Sequence, residues 1–277
     1  VIIRKYCRRI ALAILLFGVP YAASELVVTE RTFRIRMIPE ALKMTLMGHT
    51  WSHMWYLYLI LFLYLITPLL KKVLRVLPVW GVAAVMAVIF LGSSVAPFLN
   101  KVLDVNSIPV LPDGGVYFLY YLCGYFFAVR EVCVDKGRNV WLTAAVAVLA
   151  LGMILSRTLV GFSIQMAYNY PFTVLLAVLL FAAGWNGSIK KHRIPWQEAG
   201  ALSFAVYLVH PVYVNLLYKF VKITPFTVLE QCGVQSVAAG QAVLILLLAA
   251  FCLVVLALAT ATAWVLRKIP VLRKYVL

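Results

Sequence analysis

Two stretches of this sequence place histidine and hydroxyl side chains on one face of an apolar helix. In the first, HMWYLYLILFLYLITPLL, the side chains of His53, Tyr56, Tyr64 and Thr67 share a narrow sector at about 100° per residue. Imidazole can accept a proton and phenol can donate a hydrogen bond, which suits activation of a hydroxyl group and stabilisation of an oxyanion. We therefore expect this stripe to line a polar cavity. An aromatic belt at a membrane interface explains only the neighbouring Trp51, Trp55 and Tyr58.

The second stretch is LSFAVYLVHPVYVNLLY, in which Ser203, Tyr207 and His210 recur on one helical face. His210 lies near the middle of its apolar run, and Pro211 follows it. Proline has no N–H, so a backbone carbonyl one turn earlier lacks its helical partner. Two interpretations stay open here. His210 is either a neutral imidazole that links helices or a residue that contacts a ligand in a cavity.

A third feature is the amino-terminal cluster RKYCRRI, which contains Arg4, Lys5, Arg8 and Arg9 immediately before an apolar run. Such a cluster can anchor a helix at the cytoplasmic face of a membrane. Guanidinium groups also bind phosphate oxygens in pairs, so a phosphate site is the functional alternative.

Metal and nucleotide motifs are weak. His49 and His53 are spaced for one helical face, but Glu40 is a poor third ligand, and we predict no metal site. The sequence has neither a Walker loop nor a glycine-rich dinucleotide motif. The cysteines show no metal or disulfide spacing; they are Cys7, Cys123, Cys133, Cys232 and Cys252.

The elements that carry these residues are transmembrane helices. Of the 277 residues, 65% are hydrophobic and 12% are charged, and the mean hydropathy is +0.99. Apolar runs long enough to cross a bilayer predict about eight helices. They cover residues 10–28, 54–70, 79–99, 116–130, 139–156, 170–186, 200–220 and 240–266. The fold class is therefore all-α, a polytopic membrane helix bundle, with residues 1–277 as a single membrane-embedded domain.

The charges between these runs predict the orientation. Counting alternate loops, 17 Lys and Arg residues fall on one side and eight on the other. The richer side is expected to be cytoplasmic, and it holds both termini. Residues 29–52 mix arginine with apolar residues, as an interfacial segment at the outer leaflet would. The net charge of +16 comes from these groups, and no basic stripe with exposed aromatic residues suggests nucleic-acid binding.

Four motifs of this sequence resemble motifs of the acyltransferase 3 family of membrane O-acyltransferases. They occur along the chain in the same order as in that family. The His–Trp–aromatic helix ending in Thr67 and Pro68 resembles one of its helices, and LSFAVYLVHPVY resembles its late helix. RKYCRRIALAILLFGVPY resembles the basic run that leads into the family's third helix, and GGVYFLYYLCGYFFA resembles its glycine-containing aromatic helix. Family members resemble ten-helix bundles whose first helix carries an Arg or Lys and a catalytic histidine. The resemblance therefore implies that this sequence lacks the first two helices.

The resemblance also implies an activity. An acyl group, with acetyl favoured, would pass from cytoplasmic acyl-CoA to a hydroxyl of a cell-surface glycan or a similar small acceptor at the bacterial inner membrane. His53 and His210 would be the catalytic residues that orient the acceptor hydroxyl or share its proton, whereas the family's main base would lie in the missing first helix. Arg4, Lys5, Arg8 and Arg9 would hold the phosphates of coenzyme A. Acceptor binding would fall to Tyr56, Tyr64, Ser203 and Tyr207. The alternatives are a proton-coupled transporter and an inactive fragment of the acyltransferase.

Overall fold

The protein is built from helices throughout the part of the chain that its computed structural model describes. This part comprises residues 2–112, 114–129, 138–159, 168–185, 196–233 and 237–276, and it contains no strand. The all-α prediction is therefore confirmed. Some residues of the charge and cysteine patterns lie outside the described residues, namely Arg130, Cys133, Lys136, Lys190, Lys191 and Arg193. The side chains of Arg4, Arg138 and Arg157 are also outside this description.

The described helices are numbered here in chain order. Helix α1 runs continuously through Ile2–Cys7, Arg8–Ala13, Ile14–Gly18 and Val19–Glu30, and α2 is Met37–Leu46. A 3-10 turn at Ser52–Met54 leads into α3, Trp55–Val76. Helix α4 comprises Val79–Phe90, Leu91–Val95 and Ala96–Leu103. The next helices are α5 (Gly115–Val129), α6 (Arg138–Leu159) and α7 (Pro171–Trp185). The last are α8 (Trp196–Asn215 with Leu216–Val221), α9 (Pro225–Gln231), α10 (Val237–Leu266) and α11 (Pro270–Tyr275).

Residue contacts divide the chain into two compact units. Unit 1 comprises Val1–Leu65 and His192–Leu277, and unit 2 comprises Ile66–Lys191. The core of unit 1 joins apolar residues of α1, α3, α8 and α10, and Val276 after α11. In unit 2, α6 packs on α7, and a core around Val116, Leu119 and Val174 joins α5 to α7.

Within the part of the chain that the structure describes, the apolar helices that overlap the predicted spans differ in length. Within the described residues, five are long and apolar enough to cross a membrane: Lys5–Glu30, Ser52–Val76, Val79–Leu103, Glu198–Gln231 and Ala239–Leu266. The other three are shorter, at Gly115–Ala128, Asn139–Leu155 and Pro171–Trp185. A helix that crosses the hydrocarbon core upright needs roughly 20 residues. The chain is thus a multi-pass membrane protein, while eight crossings and cytoplasmic termini stay predictions.

The segment expected to lie along the interface contains a helix that packs against α1. Met37, Ala41 and Thr45, spaced by one helical turn, are at most 1% exposed, whereas Ile38 and Leu42 on the adjacent face are exposed. Helix α2 ends near Gly48, whose φ of 78° favours glycine. This amphipathic helix therefore fixes the start of the loop that carries His49 and Trp51.

The contact between α1 and α2 depends on Gly18, where the two helices approach closely. A Cβ at this position would lie 2.7 Å from Cγ2 of Thr45, whose own hydroxyl donates to the Ala41 carbonyl at 2.8 Å. We expect Gly18→Val to destabilise the protein by about 1–3 kcal/mol through overpacking, measured as a lower thermal unfolding temperature in detergent. Gly124→Val is the matched control, because nothing lies within 4 Å of a Cβ at that helical glycine. Equal melting temperatures for both variants would contradict the close approach.

Candidate active site

The two histidines singled out in the sequence lie side by side in unit 1. The His53 and His210 ring centroids are 5.8 Å apart, with an interplanar angle of 70°. Tyr21 and Tyr207 also have their rings against His53, at 5.6 Å and 5.7 Å. The structure therefore gathers side chains from α1, from the turn before α3 and from α8.

Hydrogen bonds from buried tyrosines to backbone carbonyls fix these segments to one another. The hydroxyl of Tyr21 donates to the Leu208 carbonyl at 2.5 Å, and the hydroxyl of Tyr207 donates to the His53 carbonyl. The ring of Tyr21 also stacks on Trp51, with centroids 4.3 Å apart and planes within 5°. Each tyrosine thus satisfies its hydroxyl inside an apolar surrounding, and together they determine the position of His53 relative to α8.

The backbone of α8 determines which nitrogen of His210 is available for chemistry. Pro211 has no N–H, so the carbonyl of Tyr207 lacks its usual helical donor. Nδ1 of His210 lies 2.9 Å from that carbonyl oxygen. Since a carbonyl can only accept, Nδ1 carries a proton, and Nε2 is the nitrogen left to exchange a proton with a ligand. His210 is therefore held as the tautomer that can accept a proton at Nε2.

Two nitrogen atoms near His210 are buried without a hydrogen-bond partner among the described residues. They are Nε2 of His53 and Nε1 of Trp51. Buried polar atoms are nearly always paired in native proteins, so each unpaired one needs an explanation such as a bound water or ligand. Both residues line the same cavity, and the explanation we favour is a ligand in that cavity.

This cavity has a volume of about 540 Å³ and lies between α1, the loop before α3 and α8. Volumes of roughly 300–1,000 Å³ are usual for small-molecule sites. Its polar lining residues are Glu25, His49, Thr50, Trp51, Ser52, His53, His210, Asn215 and Lys219. Nζ of Lys219 lies 4.0 Å from Oε2 of Glu25, and both side chains are about half exposed. The lining can therefore bind several hydroxyl groups at once.

None of the four residues predicted to bind the acceptor lines this cavity. They are Tyr56, Tyr64, Ser203 and Tyr207. Tyr56 is 42% exposed, with its ring 5.8 Å from that of Tyr207. Tyr207 acts instead through its bond to the His53 backbone. Tyr64 packs beside Tyr6, at 5.9 Å between centroids, and Ser203 bonds to the Gly200 carbonyl at 2.8 Å. In unit 2, the Thr67 hydroxyl pairs with that of Tyr121 at 2.6 Å.

Sequence reasoning did not identify several residues of the cavity, chiefly Glu25, Asn215 and Lys219. A signal for two of them was present, because Pro211, Asn215 and Lys219 are spaced by one helical turn and all three line the cavity. Helix α8 continues as far as Val221, which keeps Lys219 on the same face. His49 also lines the cavity, but α3 is preceded by a turn at Ser52–Met54, so His49 is not on a helix with His53. Among the described residues, no group of three potential ligands could hold a metal ion.

The basic cluster lies at the opposite end of α1 from the cavity. Lys5 and Arg8 are exposed, and Arg9 is partly buried. Arg9 lies about 20 Å from Ala22 at a rise of about 1.5 Å per residue, and Ala22 lines the cavity. The structure thus separates the basic cluster from the histidines.

These features define a multi-pass membrane protein whose paired histidines line a ligand-sized polar cavity. Such a site suits transfer of a group to a hydroxyl. The acyltransferase domain that defines the acyltransferase 3 family matches residues 2–265, so the chain belongs to this family. It is an enzyme of the class that transfers acyl groups other than aminoacyl groups. No curated protein and no solved structure matches the chain.

Proposed function

We propose that this protein moves an acyl group, with acetyl favoured, from cytoplasmic acyl-CoA to a hydroxyl of a surface glycan or a similar small acceptor. We place it in the bacterial inner membrane with the cavity toward the outer face. The observation that carries the proposal is the cavity in which His53 and His210 meet. Family membership supports acyl transfer. The identities of the donor, of the acyl group and of the acceptor are what we propose.

The chemistry proposed for the cavity follows from the tautomer of His210. The acceptor hydroxyl gives its proton to Nε2 of His210. At the same time, the hydroxyl oxygen attacks the carbonyl carbon of the thioester and forms the new ester C–O bond, and an oxyanion develops on the carbonyl oxygen. The C–S bond then breaks, and the thiolate of coenzyme A takes up the proton from His210. Nε1–H of Trp51 is buried without a partner among the described residues, and it is the donor we assign to the developing oxyanion.

The acceptor class is inferred from the polar lining. Glu25 and Lys219 provide a carboxylate and an ammonium 4.0 Å apart, and Asn215 adds an amide. A carboxylate accepts hydrogen bonds and an ammonium donates them, so this mixture suits a ligand with several hydroxyl groups. His53, whose Nε2 is buried without a partner among the described residues, would orient the reacting hydroxyl.

The basic cluster is the part of the chain that we assign to donor binding. The count of 17 Lys and Arg residues against eight supports an orientation with this cluster on the cytoplasmic side and the cavity on the outer side. The donor would be bound by its phosphates at the cytoplasmic end of α1. Its thioester would reach the histidines on the extended pantetheine arm, across roughly 20 Å of helix.

Proteoliposomes with a defined orientation test this proposal. The protein is reconstituted with labelled acetyl-CoA on the side of the basic cluster and a glycan acceptor on the side of the cavity. We expect labelled acceptor only in this arrangement, and none when donor and acceptor are both supplied on the cavity side. Product release is followed by mass spectrometry, with protein-free vesicles as the control.

Two results would overturn the proposal. One is transfer that occurs only when donor and acceptor are both on the cavity side. The donor would then enter from the cavity side and not from the side of the basic cluster. The other is uptake of the unmodified glycan into vesicles in the absence of acetyl-CoA, with no acetylated product, which would indicate a transporter instead.

A further inference from the structure

The basic cluster on α1 is joined by the segment that follows the last long helix. Nε of Arg9 donates to the carbonyl of Val276 at 2.7 Å, between residues far apart in sequence. Val276 is 1% exposed and belongs to the core of unit 1. Leu272 packs against the same core. The segment Pro270–Val276 is therefore fixed against the start of α1.

The same contact gives the two arginines different roles. Arg9 is partly buried, with its guanidinium 5.8 Å from the centroid of the Phe204 ring as well as bonded to Val276. Arg8 is exposed, and its guanidinium lies 5.1 Å from the centroid of the Tyr275 ring. Arg9 thus holds the segment in place, while Arg8 remains accessible to a ligand.

A second cation contacts the same aromatic ring. Nζ of Lys274 is 5.2 Å from the centroid of Tyr275, and the guanidinium carbon of Arg8 is 5.1 Å from it. The two cationic groups are therefore separated by no more than the sum of these two distances. The ion pairs between described residues join Arg34 to Glu30 and Lys219 to Glu25, so neither cation is neutralised by a described carboxylate. Nε of Arg267, shortly before the segment, is buried without a partner among the described residues. Like charges brought together in this way favour an anionic ligand.

We propose that Arg8, Lys274 and Tyr275 form one phosphate-binding site, in which the segment Pro270–Val276 supplies the second wall for the phosphates of acyl-CoA. This inference rests on the proposed function for the identity of the donor. Arg8 and Lys274 contact phosphate oxygens, and Tyr275 is a positioning residue that holds both cations through its ring. The sequence pattern by itself indicated a phosphate site on α1 alone.

Phosphate groups could come from coenzyme A or from an anionic lipid headgroup, and binding measurements separate the two. The purified protein is placed in nanodiscs of phosphatidylcholine, and the Kd of coenzyme A is measured by calorimetry. Lys274→Ala and Arg8→Ala are each expected to weaken binding by about tenfold, the loss of one charged contact to phosphate. Lys72→Ala is the matched control, because Lys72 is an exposed cation in unit 2, and its Kd should equal that of the wild type.

The role of the Tyr275 ring is tested with one variant that removes the ring and one that keeps it. Tyr275→Leu should raise the Kd of coenzyme A by several fold, whereas Tyr275→Phe, which keeps the aromatic face, should restore it. The KM of the acceptor should be the same in both variants, because the cavity lies at the other end of α1. A merely structural role for Tyr275 would change both constants together.

The outcomes distinguish this inference from the function on which it rests. If the wild type binds coenzyme A and Lys274→Ala binds it equally well, the composite site is wrong and the proposed function stands. If Lys274→Ala instead loses only the enrichment of phosphatidylglycerol in mixed nanodiscs, the cations serve a lipid headgroup and the inference is again overturned. If the wild type binds no coenzyme A, the proposed donor itself fails.

Discussion

Replacing His210 by glutamine is expected to lower kcat for acyl transfer by about 10²- to 10³-fold, the usual contribution of a positioned general base. Glutamine is close to histidine in size and polarity, but its amide cannot accept the proton of the acceptor hydroxyl. The KM of acyl-CoA should change little, because the basic cluster lies at the other end of α1. Steady-state kinetics with varied donor and acceptor in proteoliposomes measure both constants.

Tyr218→Phe is the control for this experiment. Tyr218 lies on the continuation of α8, is exposed, and has its ring 5.4 Å from that of Phe251. It does not line the cavity, so loss of its hydroxyl should leave kcat unchanged. If His210→Gln retained kcat within a factor of about three while folding normally, His210 would be a structural link between helices rather than a base. That interpretation was the alternative left open by the sequence.

The second large effect is expected from Pro211→Ala, with opposite signs for stability and activity. Alanine restores the N–H of residue 211, which can bond to the Tyr207 carbonyl and displace Nδ1 of His210 from it. A proline inside a helix costs up to about 3 kcal/mol, so the variant should unfold at a higher temperature. Its kcat should fall by about tenfold, because the imidazole loses the bond that fixes its orientation and tautomer.

A matched control for this substitution exists in α3. Pro68 also lies inside a helix and is exposed, so Pro68→Ala should gain stability without losing kcat. A double variant gives a further check: adding Pro211→Ala to His210→Gln should lower kcat no further, since the proline acts through the histidine. A tenfold loss in the double variant beyond His210→Gln alone would mean that Pro211 acts on the cavity directly.

The sequence was sufficient to predict helices and most of their positions, because in hydrocarbon a span must pair its backbone groups internally. Helix α3 shows how the end of a helix can differ from the end of its predicted span. Its predicted span ended at residue 70, but the helix continues to Val76, since apolar length marks the membrane and not the end of a helix. The segment 29–52 similarly contains α2, whose buried face could not be recognised before its contact with α1 was known.

Sequence reasoning selected residues that the structure brings together. Helical spacing put Tyr207 and His210 on one side of α8, where their rings are 6.1 Å apart, and it selected His53 in a separate stretch. It could not show that these stretches meet, because Tyr21 and Tyr207 bind backbone carbonyls of Leu208 and His53, which no residue type reveals. For the same reason, Glu25 on α1 was missed, although it faces Lys219 across the cavity.

What the sequence determined by itself is the class of the molecule: an all-helical membrane protein, its family, and the residue types available for proton transfer and phosphate binding. These follow from composition, spacing and local order, which a linear chain displays directly. The tertiary structure decided which of those residues act together, because packing brings α1, α3 and α8 around one cavity. It also set Arg9 against Val276 and so divided the basic cluster into a structural arginine and an exposed one. Contacts between distant segments depend on the shape of the whole unit, and no local pattern encodes that shape.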